Sequence, residues 1–126
     1  QKRNDEIEKI DEALLDELRQ HSVRIMADAR LNSETPGSMI DRLSITALKI
    51  YHMDEETKRE DASSEHQKNC EAKLMLLQEQ RRDLGKCLME FLEDLVFGRK
   101  TLKVYRQMKM YNDSSLNPVL YQKKNS

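Results

Sequence analysis

A chain of 126 residues is long enough for one domain with a modest core and short for two. Charged residues make up 36% of it against 37% hydrophobic, with three Gly and two Pro, which favours long helices over turn-rich sheets. No run approaches the roughly 18 apolar residues that a membrane span needs, and Cys70 and Cys87 lack both CxxC spacing and clustered histidines, which argues against a zinc site or a disulfide framework and for reduced thiols in a cytoplasm.

The chain opens in the charged run Gln1 to Glu6, with no signal-peptide core and no clear helix cap, so residues are expected upstream of Gln1. Ile7, Ile10, Leu14, Leu18, Ile25 and Ala29 recur at three- and four-residue steps and predict one amphipathic helix from about 2 to 30. Residues Asn32 to Ser38 form the clearest turn, and Ser38 with Asp41 resembles a capping arrangement for a second helix from about 39 to 57. Its apolar arc holds Ile40, Leu43, Ala47, Leu48, Ile50 and Tyr51, with Ile45 beyond one edge, leaving a narrow polar stripe of Arg42, Thr46 and Lys49, the pattern of a central, largely enclosed helix.

Asp61 or Ser63 can cap a third helix from about 64 to 97, with Gly98 where a left-handed C-terminal residue belongs. Its stripe of Cys70, Leu74, Leu77, Leu84, Leu88, Phe91 and Leu95 suggests antiparallel packing on helix one. A short fourth helix, about 100 to 111, gathers Thr101, Val104, Tyr105, Met108 and Tyr111, and residues 113–126 read as an irregular tail. The expected fold is therefore all-α: a single helical domain, an antiparallel bundle of three long helices plus a short C-terminal fourth. Long helices in so small a bundle leave apolar surface to cover, so a homo-oligomer is expected.

Several short strings in one order carry a resemblance. They are Arg3-Asn4-Asp5 with Ile7-Glu8 and Ile10-Asp11, then Glu34-Thr35-Pro36-Gly37, Asp41-Arg42-Leu43-Ser44-Ile45 and Leu48-Lys49-Ile50-Tyr51-His52-Met53. Tyr105 through Asp113, Leu116-Asn117-Pro118 and Leu120-Tyr121 complete the set. Together they resemble a bacterial family of helical proteins known only as a domain of unknown function. The resemblance covers nearly the whole chain and implies a missing N-terminal helical region, a bacterial cytoplasmic setting and a connection with envelope glycans. It supplies no reaction, and whether the chain is an enzyme stays open.

Arg81 interrupts the apolar stripe of helix three, and Asp11 lies within the apolar arc of helix one with Asn4 two turns earlier. An unpaired charge is too costly to bury, so Asp11 and Arg81 are candidate partners, either as a buried ion pair or as the walls of a site for an anionic small molecule; a snorkelling arginine is the third reading. Asp41 and His52 share one edge of helix two, roughly 16 Å apart along the axis, too far for a dyad but suited to opposite ends of one groove. Asp41 also reads as a cap and His52 as a rim residue.

Paired acids at three-residue spacing on facing helices can hold magnesium or manganese in helical nucleotide hydrolases. Here Glu8 and Asp11 are the candidate metal ligands of a phosphohydrolase acting on a nucleotide or sugar nucleotide, alongside the pairs Asp5/Glu8 and Glu90/Glu93. With 23 acidic residues in 126, chance alone gives about four such pairs, so a solvated acidic face competes with the metal reading, and no cofactor is called for outside it. Residues 99–126 carry seven basic side chains against Asp113 alone, a formal +6, so residues 1–98 carry −7 of the overall −1. Docking of the basic end on the acidic body accounts for this polarity as well as an external anion does, and nucleic acid is disfavoured because no recognition motif accompanies the tyrosines.

Overall fold

The computed structural model describes residues 2–105. They form three helices and a pair of two-residue strands, in the order α1 (Lys2–Gln20), β1 (Arg30–Leu31), α2 (Pro36–Thr57), α3 (Ser64–Val96) and β2 (Lys100–Thr101). The fold is mostly helical, as the sequence leads one to expect, and no helix among the described residues is long and apolar enough to cross a membrane.

Helix α1 ends ten residues earlier than its periodicity suggests. Ser22 takes a positive φ of 51°, its N–H donates to Arg19 O at 3.0 Å, and Val23 N–H donates to Leu18 O at 3.1 Å. That is a Schellman ending built on serine where glycine is usual. Gly98 closes α3 in the same way, with φ of 71° and with Arg99 N–H donating to Asp94 O at 2.8 Å. Gly98 is also irreplaceable sterically, since an added Cβ would lie 2.0 Å from Arg24 O.

The segment after α1 turns back past Gly98, where Met26 N–H donates to Gly98 O at 2.8 Å. It then pairs in parallel with the segment after α3, Arg30 opposite Lys100 and Leu31 opposite Thr101. These strands occupy residues expected at the end of helix one and the start of helix four. The pairing satisfies their backbone groups, and Leu102 beyond it is buried in the core, so residues 100–105 are not helical. The rest of the expected fourth helix and the 113–126 tail lie outside the described residues.

Helix α2 starts at Pro36, three residues before the expected point. Thr35, not Ser38, is its N-cap: Thr35 Oγ1 accepts Ser38 N–H at 3.2 Å, and Pro36 occupies the first turn, where its missing N–H does no harm. Ser63 caps α3 by accepting His66 N–H at 3.1 Å. Helices α2 and α3 form the main antiparallel pair, with Glu56 against His66 at the turn and Met39 against the Leu88, Phe91 and Leu95 group at the other end. Helix α1 lies antiparallel to α2, through Arg3 with Asp41 and Asp11 with Gly37, rather than to α3 as expected.

The core is concentrated at one end of this hairpin. Met39, Leu88, Phe91, Leu95 and Leu102 are buried together, with Leu14, Leu15, Leu18, Leu43, Leu84, Leu92 and Val104 packed around them. The far half of the hairpin is an arm that buries only Cys70 among its hydrophobic side chains. Helix α2 is consequently not the enclosed central helix that its composition suggests: Leu48 is 59% and Tyr51 60% exposed.

Candidate functional site

Asp11 is the one buried charged residue among those described, 2% exposed, but its partner is not Arg81. Its Oδ1 accepts Gly37 N–H at 2.7 Å. Pro36 has no N–H, Gly37 donates to Asp11, Ser38 to Thr35 and Met39 to Thr35 O, so the N-terminus of α2 is fully satisfied and carries a carboxylate where the helix dipole favours one. Both carboxylate oxygens and Ile7 O lie so close to Gly37 that an added Cβ would meet them at 2.7 to 2.9 Å. This explains why glycine follows proline here and what Asp11 does on an inward helix face.

Arg81 is exposed and makes no ion pair with a described residue. It shares a shallow, open depression of about 500 Å³ on α3 with Gln78, Arg82, Gly85 and Lys86. The expected Asp11–Arg81 pair therefore does not form: the arginine points out along the uncovered face of the arm, and the aspartate is held by backbone. Of the candidate metal pair, Glu8 is half-buried, and Asp11 is buried with its Oδ1 engaged by the Gly37 N–H. Asn4 is exposed at the start of α1, next to Arg3, which pairs with Asp41 across the α1–α2 contact. His52 is exposed, with its ring edge-on to Tyr51 at 5.7 Å, and is not brought near Asp41.

Two further features lie on the α2–α3 hairpin. One outward face of α2 carries Ile40, Ser44, Ala47, Leu48 and Tyr51, all exposed. The steps 40, 44, 47, 51 are those of a coiled-coil seam, and Ser44 Oγ donates to Ile40 O at 3.1 Å, so the hydroxyl makes no demand on solvent. The sequence shows this periodicity plainly; what it does not show is that the face points outward.

The second feature lies at the tip. Glu56 on the last turn of α2 meets His66 and Cys70, one turn apart on α3: Glu56 Oε2 is 3.0 Å from His66 Nε2, and Cys70 Sγ is 3.4 Å from the same nitrogen. The donor atoms of all three lie within 4.8 Å of one another, the only group of three or more such donors among the described residues. Cys70 therefore does have a histidine beside it: the four-residue step from His66 becomes adjacency on a helix. Arg59 Nη1 donates to Glu56 Oε2 at 3.0 Å and its other nitrogens grip Asp61 at 3.0 and 3.1 Å. His66 and Arg59 together hold the Glu56 carboxyl below the usual glutamate range, and Arg59 does the same to Asp61.

Neither the curated proteins nor the solved structures include a match to this chain. Among family models, residues 1–104 match one described as "Protein of unknown function (DUF4254)". That match spans every element described above and agrees with the resemblance carried by the Asp11 and Thr35-Pro36-Gly37 strings, so the chain belongs to the DUF4254 family.

Proposed function

We propose that this chain is a helical docking module that associates through the outward face of α2, and that a second copy of the chain is its occupant. The observation that carries the reading is the seam itself: Ile40, Ala47 and Tyr51 exposed in coiled-coil register with Leu48 beside them, running from the core end of α2 onto the thinly packed arm. In a two-fold antiparallel pairing Ile40 of each copy would oppose Tyr51 of the other, and Ser44 would oppose Ala47, with large side chains at the ends and small ones at the crossing. Asp41 and His52 flank the same seam near its two ends, which gives those candidate residues a place at the rim of the contact. A bacterial cytoplasmic setting and the implied connection with envelope glycans fit such a module; there the other occupant would be a helical surface of a glycan-building enzyme.

Sedimentation velocity over a micromolar concentration series tests the reading. Wild type should sediment as a dimer that dissociates on dilution, and Leu48→Glu with Tyr51→Glu should be monomeric with unchanged helix content. A wild-type chain that stays monomeric at the highest concentration, or a double variant that still dimerises, overturns self-association.

A specific observation also supports binding of an anionic small molecule, at a different place from the one expected. Arg81, Arg82 and Lys86 line one depression and none is ion-paired with a described residue. Inorganic pyrophosphate is the probe: calorimetric heat that disappears in Arg81→Ala with Arg82→Ala supports the site, and no heat at low salt removes it.

A further inference from the structure

We infer that Glu56, His66 and Cys70 form a binding site for one divalent transition-metal ion of the zinc type, which fastens the tip of the α2–α3 arm. The first reason is convergence. Glu56 Oε2 and Cys70 Sγ approach the same ring nitrogen, His66 Nε2, at 3.0 and 3.4 Å. A thiol–imidazole–carboxylate relay needs the thiol on one ring nitrogen and the carboxylate on the other, so this arrangement is not a nucleophile with its base. Three donors gathered within 4.8 Å of one another are what an ion requires. Around tetrahedral zinc, with bonds of roughly 2.0 Å to nitrogen and oxygen and 2.3 Å to sulfur, neighbouring donors stand roughly 3.3 to 3.6 Å apart, a few tenths of an ångström from the two separations at His66 Nε2, and all three donors lie within 4.8 Å of one another.

The second reason is the donor chemistry. One thiolate, one imidazole and one carboxylate suit a borderline-soft ion, and they do not suit magnesium or calcium, which take oxygen. Binding exchanges the Cys70 thiol proton, released to solvent, for a sulfur–metal bond. The thiolate and the Glu56 carboxylate then balance the ion's two charges, and Arg59, which pairs with both Glu56 and Asp61, keeps Asp61 as its partner when Glu56 Oε2 turns to the ion. The third reason is location. Cys70 is 5% exposed at the tip, whereas the side chains of His66 and Glu56 are 46% and 38% exposed. The ion would have its sulfur ligand in a dry wall and its fourth position toward water. It would join α2 to α3 where Cys70 is the only buried hydrophobic side chain.

The test uses the full chain, reduced, with Cys87→Ser to remove the other, exposed thiol. Titration with Co2+ alone should give one ion per chain with thiolate-to-cobalt charge-transfer absorption, and Zn2+ should displace it. Cys70→Ser should abolish the absorption, and His66→Ala should weaken binding by at least about 100-fold, the upper end of what loss of an outer partner does to a zinc site. Far-ultraviolet circular dichroism confirms that each variant is folded, and His66→Asn, which keeps a polar side chain at the cap, repeats the test if His66→Ala is not. A chain that binds Co2+ without charge-transfer absorption, or whose absorption survives in folded Cys70→Ser, overturns the proposal.

Discussion

Replacing Gly37 by alanine would drive a methyl group to 2.7 Å from Ile7 O and 2.8 Å from Asp11 Oδ1. One of those obstacles is backbone, so the α1–α2 contact must shift, and overpacking of this kind typically destabilises by about 1–3 kcal/mol. Asp11→Ala removes the acceptor from the other side of the same contact and leaves the Gly37 N–H buried without a partner, a loss of about 1.5–3 kcal/mol for a charge-assisted bond. Asp11→Asn keeps an acceptor and should fall between wild type and alanine. Urea unfolding of the three variants checks this; if Asp11→Ala proves as stable as wild type, the Gly37–Asp11 bond does not hold the α1–α2 contact together.

The inward position of Asp11 was readable from its place on the helical wheel. Its partner was not, because a wheel shows side chains and the partner is a backbone N–H brought close by glycine. A titration also belongs at this scale. The Glu55 carboxylate accepts the Tyr51 hydroxyl one helical turn away and its charge opposes a phenolate beside it, so the Tyr51 hydroxyl titrates above the ordinary tyrosine value. Because the folded value is the higher one, this contact favours the fold below the pH at which free tyrosine ionises, and its help is lost as the pH rises through the folded value. Tyrosinate difference spectra of wild type against Tyr51→Phe should place Tyr51 above free tyrosine, and Glu55→Gln should bring it down.

Among elements, α3 shows how far periodicity carries and where it stops. Its cap at Ser63 and its closure at Gly98 are both legible, because serine and glycine are the usual residues for those positions. The end of α1 is hidden, because Ser22 does the work of glycine and the apolar steps continue into Ile25 and Ala29 after the helix has stopped. Strands of two residues leave no pattern to read. Arg81 misled for a related reason: an apolar stripe announces burial only if something covers it, and at this turn of the arm nothing among the described residues does. Arg81→Ala should therefore alter stability by no more than about 0.5 kcal/mol in either direction, not by the several expected of a broken buried pair. Gly85 lies on the same uncovered stretch, with nothing within 4 Å of an added Cβ. Gly85→Ala should stabilise the monomer by about 1 kcal/mol through helix propensity alone. A destabilised Gly85→Ala would mean that another surface packs closely there.

At the scale of the molecule, the distribution of the core makes stability uneven. The buried cluster joins α1, the start of α2, the end of α3 and Leu102, so opening any of these exposes the same apolar surface and approaches global unfolding. The arm beyond it offers little to resist local opening: Leu48, Met75 and Leu76 are more than half exposed, and the tip depends on Cys70 and on the Glu56, His66 and Arg59 contacts. Regions with few buried contacts open at free energies well below the global value. Native-state hydrogen exchange should therefore divide the two long helices. Amides of about 88–95 should exchange only through global unfolding, whereas those of about 68–77 and 48–57 should exchange through a lower-energy local opening with a smaller denaturant dependence. Self-association and metal binding alter this map differently. Self-association on the α2 face should raise protection of 48–57 as protein concentration rises, with no metal added. Zinc should raise protection at both sides of the tip at any concentration, and only while Cys70 is present. Uniform protection along α3 in dilute, metal-free protein would show that the arm is not the weak half, and the case for an arm that needs either a partner or an ion would fall with it.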